Sequence, residues 1–502
     1  MAEWAGCVIF AKTEKVMSIH TDRECNLDPD NWLDLRRLGH QMVDDMMDYL
    51  QNVSDRPVWT KTPDETKMLT KAGLPREGRP AVDIYRDFRQ HILPYTKGNI
   101  HPAFFSWVQG TGTPLGALAD FLASVMNPNV AIGDHAAMYV DAQVIQWCKS
   151  LFDFPPQASG MLVSGGSLAN ITALTVARNS FDERIREQGV FALSGPLVFY
   201  ASTETHSCQQ KAAEVLGLGR NGLRLVPVDE NFRMDLRILE TMLEEDRRAG
   251  KLPFCIVGNA GTVNTGAIDP LADLLAIARR EKLWFHVDGA FGALAYLVDE
   301  YRSVLKAVSE ADSLAFDLHK WMYMPYEVGV ALIRDKRLHR AAFALQPTYL
   351  LSHERGLAAG PDPITNYGLE LSRGFKALKV WMSLQEHGLD KYTRLIEQNI
   401  HQARYLETRI RKEPELELMA EVPLNIVCFR YNPGQLNNQA IDQFNKSILM
   451  DLHESGIAAP SYTLIRGHYC IRVCIVNHRT QRRHLDRMVD KILELGKGMS
   501  EK

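Results

Sequence analysis

The chain has no long uncharged apolar run, no internal repeat and no low-complexity tract. A bilayer-spanning helix is therefore not expected, and neither is a solenoid. It also lacks an excess of basic charge. Its 57 Lys and Arg stand against 61 Asp and Glu, a formal net charge of −4, so no electrostatic footprint for nucleic acid is present. Cysteine is scarce, with eight in 502 residues, and the closest pair, Cys470 and Cys474, has no companion ligands at metal spacing. That excludes a disulfide framework and a zinc site, and reduced, mostly buried thiols are expected. The start, "MAEWAGCVIFAKTEK", carries a short apolar run without a basic segment before it, a poor secretory signal. The cytoplasm is the expected location.

What is present is ordinary globular composition: 46% hydrophobic and 24% charged residues. The length suits more than one lobe. Residues 1–95 read as a helical segment. In "WLDLRRLGHQMVDDMMDYLQNV", Leu35, Leu38, Met42, Met46 and Leu50 recur at helical spacing, and "AGLPREGRP" then breaks the pattern. From about residue 160, short apolar runs ("GMLVSGG", "GPLVFYAS", "PFCIVGNAGT", "LWFHVDGA", "SLAFDLHKW") alternate with amphipathic segments. Such alternation predicts an α/β domain, here residues 96–380, with a mostly parallel sheet. Ligands of such sheets bind beyond the carboxyl ends of the strands. After the helical "LSRGFKALKVWMSLQEHG", residues 381–502 mix helices with short strands and read as a small α+β domain. Arg472, in "YCIRVCIV", reads as structural.

Several groups fall at predicted strand ends. "VSGGSLAN" closes a strand and opens a helix, with Gly165, Gly166 and Ser167 at the junction. It fits both a turn capped by Ser167 and an anion cradle, because both use free first-turn amides. It is not a P-loop, since no Gly-Lys-Ser/Thr follows. "GLGRNG" fits a dinucleotide fingerprint in letters only, because a helical segment precedes it and a strand follows. Asp288, just past "LWFHV", could cap a helix, bind a metal or pair with a protonated ring nitrogen. No second carboxylate or histidine stands at metal spacing, so no metal is expected. His206 in "STETHS" and Thr262 in "NAGTVNTGAIDP" hold similar positions. Lys320 lies in the apolar "DSLAFDLHKWMYMP". Burial lowers an amine's pKa, which would make Lys320 a nucleophile, unless it is merely a solvated lysine at a strand edge. Cradle, carboxylate and lysine in this order match what pyridoxal 5′-phosphate requires: an anchor, a counter-charge for the ring nitrogen and an amine for its aldehyde.

Together with "HPAFFSWV", "SGGSLANITAL", "THS", "AGTVNTGAIDP", "FHVDGAFG", "DLHKW", "PTYL" and "LSRGFKALKVW", these motifs give a chain that resembles the group II pyridoxal-phosphate-dependent decarboxylases, of the aromatic-L-amino-acid decarboxylase type. The resemblance implies the aspartate aminotransferase-like fold type I and a homodimer that exchanges its N-terminal segments and shares its active sites. It implies that Lys320 bonds covalently to the cofactor, that Asp288 pairs with the ring nitrogen, and that His206 and Ala290 lie on opposite ring faces. Gly166 and Ser167 would hold the phosphate, helped by Asp317 or His319, with Thr262 near the ring's 3-oxygen or Asp288. Tyr349, in a mobile loop "FALQPTYLLSHERG", would protonate Cα. Arg373 and its neighbours would reach the phosphate from the partner subunit. The side-chain pocket would involve Trp107 and Val108, with Phe104 and Phe105 either walling it or packing core, and Ser372 favouring phenolic substrates. "WVQGTG" departs from the proline-containing stretch of animal and plant relatives.

The implied reaction releases CO₂ from an aromatic amino acid and leaves the amine. The alternatives are an oxidative aldehyde synthase, a decarboxylase of a non-aromatic acid, or a fold kept only for binding. Tyr349 opposes the synthase, because phenylalanine there favours oxidation in that subgroup. The absence of a basic cluster near Trp107 opposes an acidic substrate, and the intact set Lys320, Asp288, His206 and Tyr349 opposes the binding module.

Overall fold

The computed structural model describes residues 26–345, 353–434 and 436–500. Tyr349 lies outside them.

The main sheet has seven strands: β2 (Ser159–Val163), β3 (Leu197–Ser202), β4 (Leu223–Val226), β5 (Leu252–Asn259), β6 (Trp284–Asp288), β7 (Ser313–Asp317) and β8 (Gly329–Ile333), in the order β2-β8-β7-β6-β5-β3-β4. All pairings among β3 to β7 are parallel, and β8 runs antiparallel to both its neighbours. This is the mostly parallel α/β sheet of fold type I. The strands read as continuous apolar runs because helices cover both faces; β7 and β8 are buried at every position. Each fully buried Ile, Leu or Phe there stabilises the fold by roughly 1.5–3 kcal/mol. Parallel pairing of β5, β6 and β7, with β8 reversed between β7 and β2, brings the carboxyl ends of β2, β5, β6 and β7 to one edge of the sheet.

"GLGRNG" forms the turn between the helix Cys208–Val215 and β4, with Gly217 and Gly219 at positive φ (75° and 67°), and is not a nucleotide loop.

A second sheet has five strands, in the order β1-β11-β12-β10-β9: β1 (Phe104–Phe105), β9 (Leu416–Leu418), β10 (Ile426–Tyr431), β11 (Ala459–Ile465) and β12 (His468–Cys474). Here the sequence boundary at residue 96 does not follow the sheets. Phe104 and Phe105 pair in parallel with Ala459 and Pro460, and Phe105 joins the small domain's core. The two aromatic residues are thus core, not pocket wall. Arg466 and Gly467 both have positive φ (50° and 82°), a two-residue turn that matches strand twist and sets the β11–β12 register. That register puts Ser461 opposite Arg472.

The helix Trp32–Gln51 is capped by Asn31, whose side chain accepts from the Leu33 amide. Leu38 is its one buried residue; Met42, Met46 and Leu50 of the apolar stripe are half-buried, and Leu35 is exposed within this chain. The six described cysteines are buried and unpaired. No described helix is long and apolar enough to cross a membrane.

Candidate active site

A cavity of about 580 Å³ opens at the shared edge of β2, β5, β6 and β7. The chain leaves β2 through Ser164 and Gly165 into the helix Gly166–Phe181. Gly165, not Ser167, holds the cap position, so Ser167 sits exposed in the first turn and lines the cavity. The reading of Ser167 as a helix cap therefore fails. Gly166 is required by close approach: a Cβ there would stand 2.8 Å from Asp317 Oδ2. Across from it, Gly329 of β8 must also lack a side chain, since a Cβ there would lie 2.5 Å from the Gly165 Cα. The result is a helix N-terminus whose first-turn amides and positive dipole end face the cavity, a site for an anion.

Asp288 ends β6 and is buried. Its Oδ1 accepts from the Ala290 amide (3.2 Å), and its Oδ2 accepts from Gln209 Nε2 (3.0 Å). His206 Nδ1 accepts from the Cys208 amide (3.1 Å), which leaves Nε2 as the protonated nitrogen of the neutral ring. The imidazole is open to the cavity on one side, yet loss of water around it holds it below the ordinary histidine range, and so uncharged at neutral pH.

Lys320 follows β7 in the short helix Leu318–Trp321 and reaches back to Asp317 Oδ2 at 2.8 Å. Burial alone would push Lys320 down, but the Asp317 carboxylate, and Asp288 beyond it, outweigh burial and hold the amine above the usual lysine range. Asp317 is thereby engaged with an ammonium, and a carboxylate repels rather than recruits a phosphate. His319 Nδ1 is bound to Val328, accepting from its amide at 3.1 Å, and its ring packs on Tyr326 with centroids 4.5 Å apart. Burial pushes this imidazole down as well.

Other expectations change. Thr262 does not line the cavity. Its hydroxyl accepts from the Ala267 amide (3.1 Å) and pairs with Thr265, closing a turn that leaves Gly261, Val263 and Asn264 at the wall. Arg373 is buried and donates to the carbonyls of Val130 (2.7 Å) and Leu162 (2.8 Å) of its own chain, so it is not free to reach a partner's phosphate. Ser372 is exposed and outside the lining. Trp107 and Val108 do line the cavity, together with Ala290 and Phe291. Trp107 adopts φ 54°, a conformation rare for a bulky side chain, and Lys97 sits over its ring at 4.3 Å.

Sequence reasoning missed the small domain's share. Arg472, Ser461 and Tyr462 also line the cavity. Arg472 is buried, and its guanidinium donates to the carbonyls of Val263 (2.7 Å) and Trp107 (3.1 Å) and to Ser461 Oγ (3.3 Å). These bonds tie both walls of the cavity together, so the stretch read only as structural also reaches the site. The available signal was an arginine inside an apolar strand, which must find several acceptors there.

These residues fit pyridoxal 5′-phosphate. One cavity holds a glycine cradle that a Cβ would fill, a buried carboxylate and a lysine amine.

Comparison with known proteins agrees. Residues 63–432 match the model of the pyridoxal-dependent decarboxylase conserved domain. An aromatic-L-amino-acid decarboxylase from Bacillus atrophaeus is 34% identical over 472 residues, 93% of this chain and 96% of that protein. Tryptophan decarboxylase 2 of Oryza sativa subsp. japonica is 28% identical, covering 90% of this chain and 92% of its own. Among solved structures, Catharanthus roseus tryptophan decarboxylase in complex with L-tryptophan superposes with a TM-score of 0.82 at 25% identity, over 94% of this chain and all of its own.

Proposed function

The chain belongs to the pyridoxal-dependent decarboxylases, and from that premise we propose that it converts an aromatic L-amino acid to its amine and CO₂. The observation that carries this reading is the gathering of Lys320, Asp288 and the Gly166 cradle around one cavity. Bound pyridoxal 5′-phosphate supplies an electron sink for the carbon that loses CO₂.

The chain's own groups have distinct tasks. Ser167 and the first-turn amides after Gly165 would hold the cofactor's phosphate. The Asp288 carboxylate would favour a protonated ring nitrogen. Lys320 Nζ would supply the amine that holds the cofactor covalently. His206 and Ala290 confine the ring, and Trp107, Val108 and Phe291 offer an apolar wall to the substrate side chain. Lys97, the cation beside Trp107, is not part of the cavity lining. Tyr349, outside the described residues, would deliver the proton to Cα.

The working unit is a homodimer in the cytoplasm. The uncovered apolar residues Trp32, Leu33 and Leu35 (61%, 60% and 41% exposed) support a second copy packing there.

Two measurements test the reading. Incubation with each of the twenty amino acids and pyridoxal 5′-phosphate should yield amines from tyrosine, DOPA-like, phenylalanine or tryptophan substrates; amine formation from non-aromatic acids alone overturns the substrate class. In Tyr349→Phe assayed in air, amine should fall and aldehyde, ammonia and peroxide should rise in its place, with dissolved dioxygen as the oxidant reduced to peroxide. An unchanged product removes Tyr349 from the mechanism.

A further inference from the structure

Behind Asp288 lies a chain of buried polar groups that the reaction does not itself use. Gln209 is fully buried, and its Nε2 lies 3.0 Å from Asp288 Oδ2 and 2.8 Å from Asn170 Oδ1. Asn170 is also fully buried, and its Nδ2 donates to the Gly166 carbonyl at 2.8 Å, which fixes its Oδ1 as the acceptor. That oxygen receives a second bond from His286 Nε2 at 2.8 Å. Burial pushes His286 down to about 4, so the ring is neutral, and with Nε2 donating, its Nδ1 must accept. It accepts from Ser313 Oγ at 2.8 Å, and Ser313 in turn accepts from Trp284 Nε1 at 2.8 Å.

Every direction in this chain is therefore determined. Starting at Trp284, the donors run through Ser313 to His286, and from His286 to Asn170. Gln209 then supplies one hydrogen to Asn170 and one to Asp288. A flipped Gln209 amide would point its oxygen at two acceptors. Gln209 Oε1 is buried without a hydrogen-bond partner, a cost that a leucine at this position would not carry. The residue is thus not explained by its own contribution to the core. Its helix also begins beside His206: the Gln209 amide donates to the His206 carbonyl at 3.0 Å. One turn, "HSCQ", therefore sets both His206 and the partner of Asp288.

We propose that Gln209, held by Asn170 and His286, is a positioning residue that keeps the Asp288 carboxylate in the one orientation that serves the cofactor's ring nitrogen, and that it links that carboxylate to the phosphate cradle through the Gly166 carbonyl. This rests on the decarboxylase reading above. A hydrogen bond to a charged group is worth about a 10- to 100-fold change in an equilibrium.

The test uses Gln209→Leu and Gln209→Met, each as the full chain. Equilibrium dialysis against pyridoxal 5′-phosphate should show binding weakened by about 10- to 100-fold. The pH midpoint of the cofactor's visible band should shift, while the melting temperature of the cofactor-free protein stays at or above that of the unchanged chain. Unchanged affinity and an unchanged pH midpoint in either folded variant would overturn the inference. So would a drop in melting temperature without a change in affinity, or failure of both variants to fold, since each marks a purely structural role. If the unsubstituted chain itself shows no visible band with the cofactor, the decarboxylase reading falls, and this inference with it.

Discussion

Lys320→Ala should abolish the visible absorbance of the cofactor-loaded protein and lower the rate of CO₂ release by about 10³-fold or more, a loss typical of removing a residue that bonds to the reacting group. The direct check is borohydride reduction of the unsubstituted protein followed by peptide mapping, with the label expected on the peptide that contains Lys320. A label on another lysine, or full activity in the variant, would end the assignment. The structure adds a condition to this result. Because Asp317 at 2.8 Å keeps the amine protonated, Lys320 must lose a proton before it can attack an aldehyde. Cofactor loading of the free protein should therefore speed up as pH rises toward the amine's elevated pKa, measured as the rate at which the visible band appears.

Asp288→Asn should reduce turnover by about 10²–10³-fold, the scale seen when a fixed electrostatic partner is removed from a site shielded from water. Shape is conserved, and asparagine can still accept from the Ala290 amide, but its Nδ2 would face Gln209 Nε2, donor against donor, so the fold should persist with a melting temperature that falls modestly. What disappears is the negative charge that holds a proton on the ring nitrogen. Turnover within a few-fold of the unsubstituted chain would reduce Asp288 to a structural acceptor for Ala290 and Gln209.

The α/β layout was legible because strands buried on both faces are apolar throughout, as in "PFCIVGN" and "SLAFD", and the helices between them keep their own period. The cradle, Asp288 and Lys320 were legible because parallel strands deliver their carboxyl ends to one edge. Information that depends on distant pairing was not. The two-residue β1 joins the small sheet through a partner more than 350 positions away, at Ala459. The protonation of Lys320 follows from which way Asp317 turns, and Thr262 faces its own turn because the Ala267 amide needs an acceptor. Arg373 looked like a free cation but answers two buried carbonyls. Gln209 gave no signal at all, since a glutamine in a helix is usually on the surface.

The short β1 has one more implication. Two residues after it, the chain becomes the Trp107 side of the cavity, and Arg472, on β12 of the same sheet, grips the Trp107 carbonyl. The substrate-facing wall is therefore hinged to the C-terminal lobe, not to the lobe that supplies the lysine. Excising residues 381–502 would strip Phe104 and Phe105 of their hydrogen-bonded neighbour and release that wall, so neither lobe holds a finished pocket by itself.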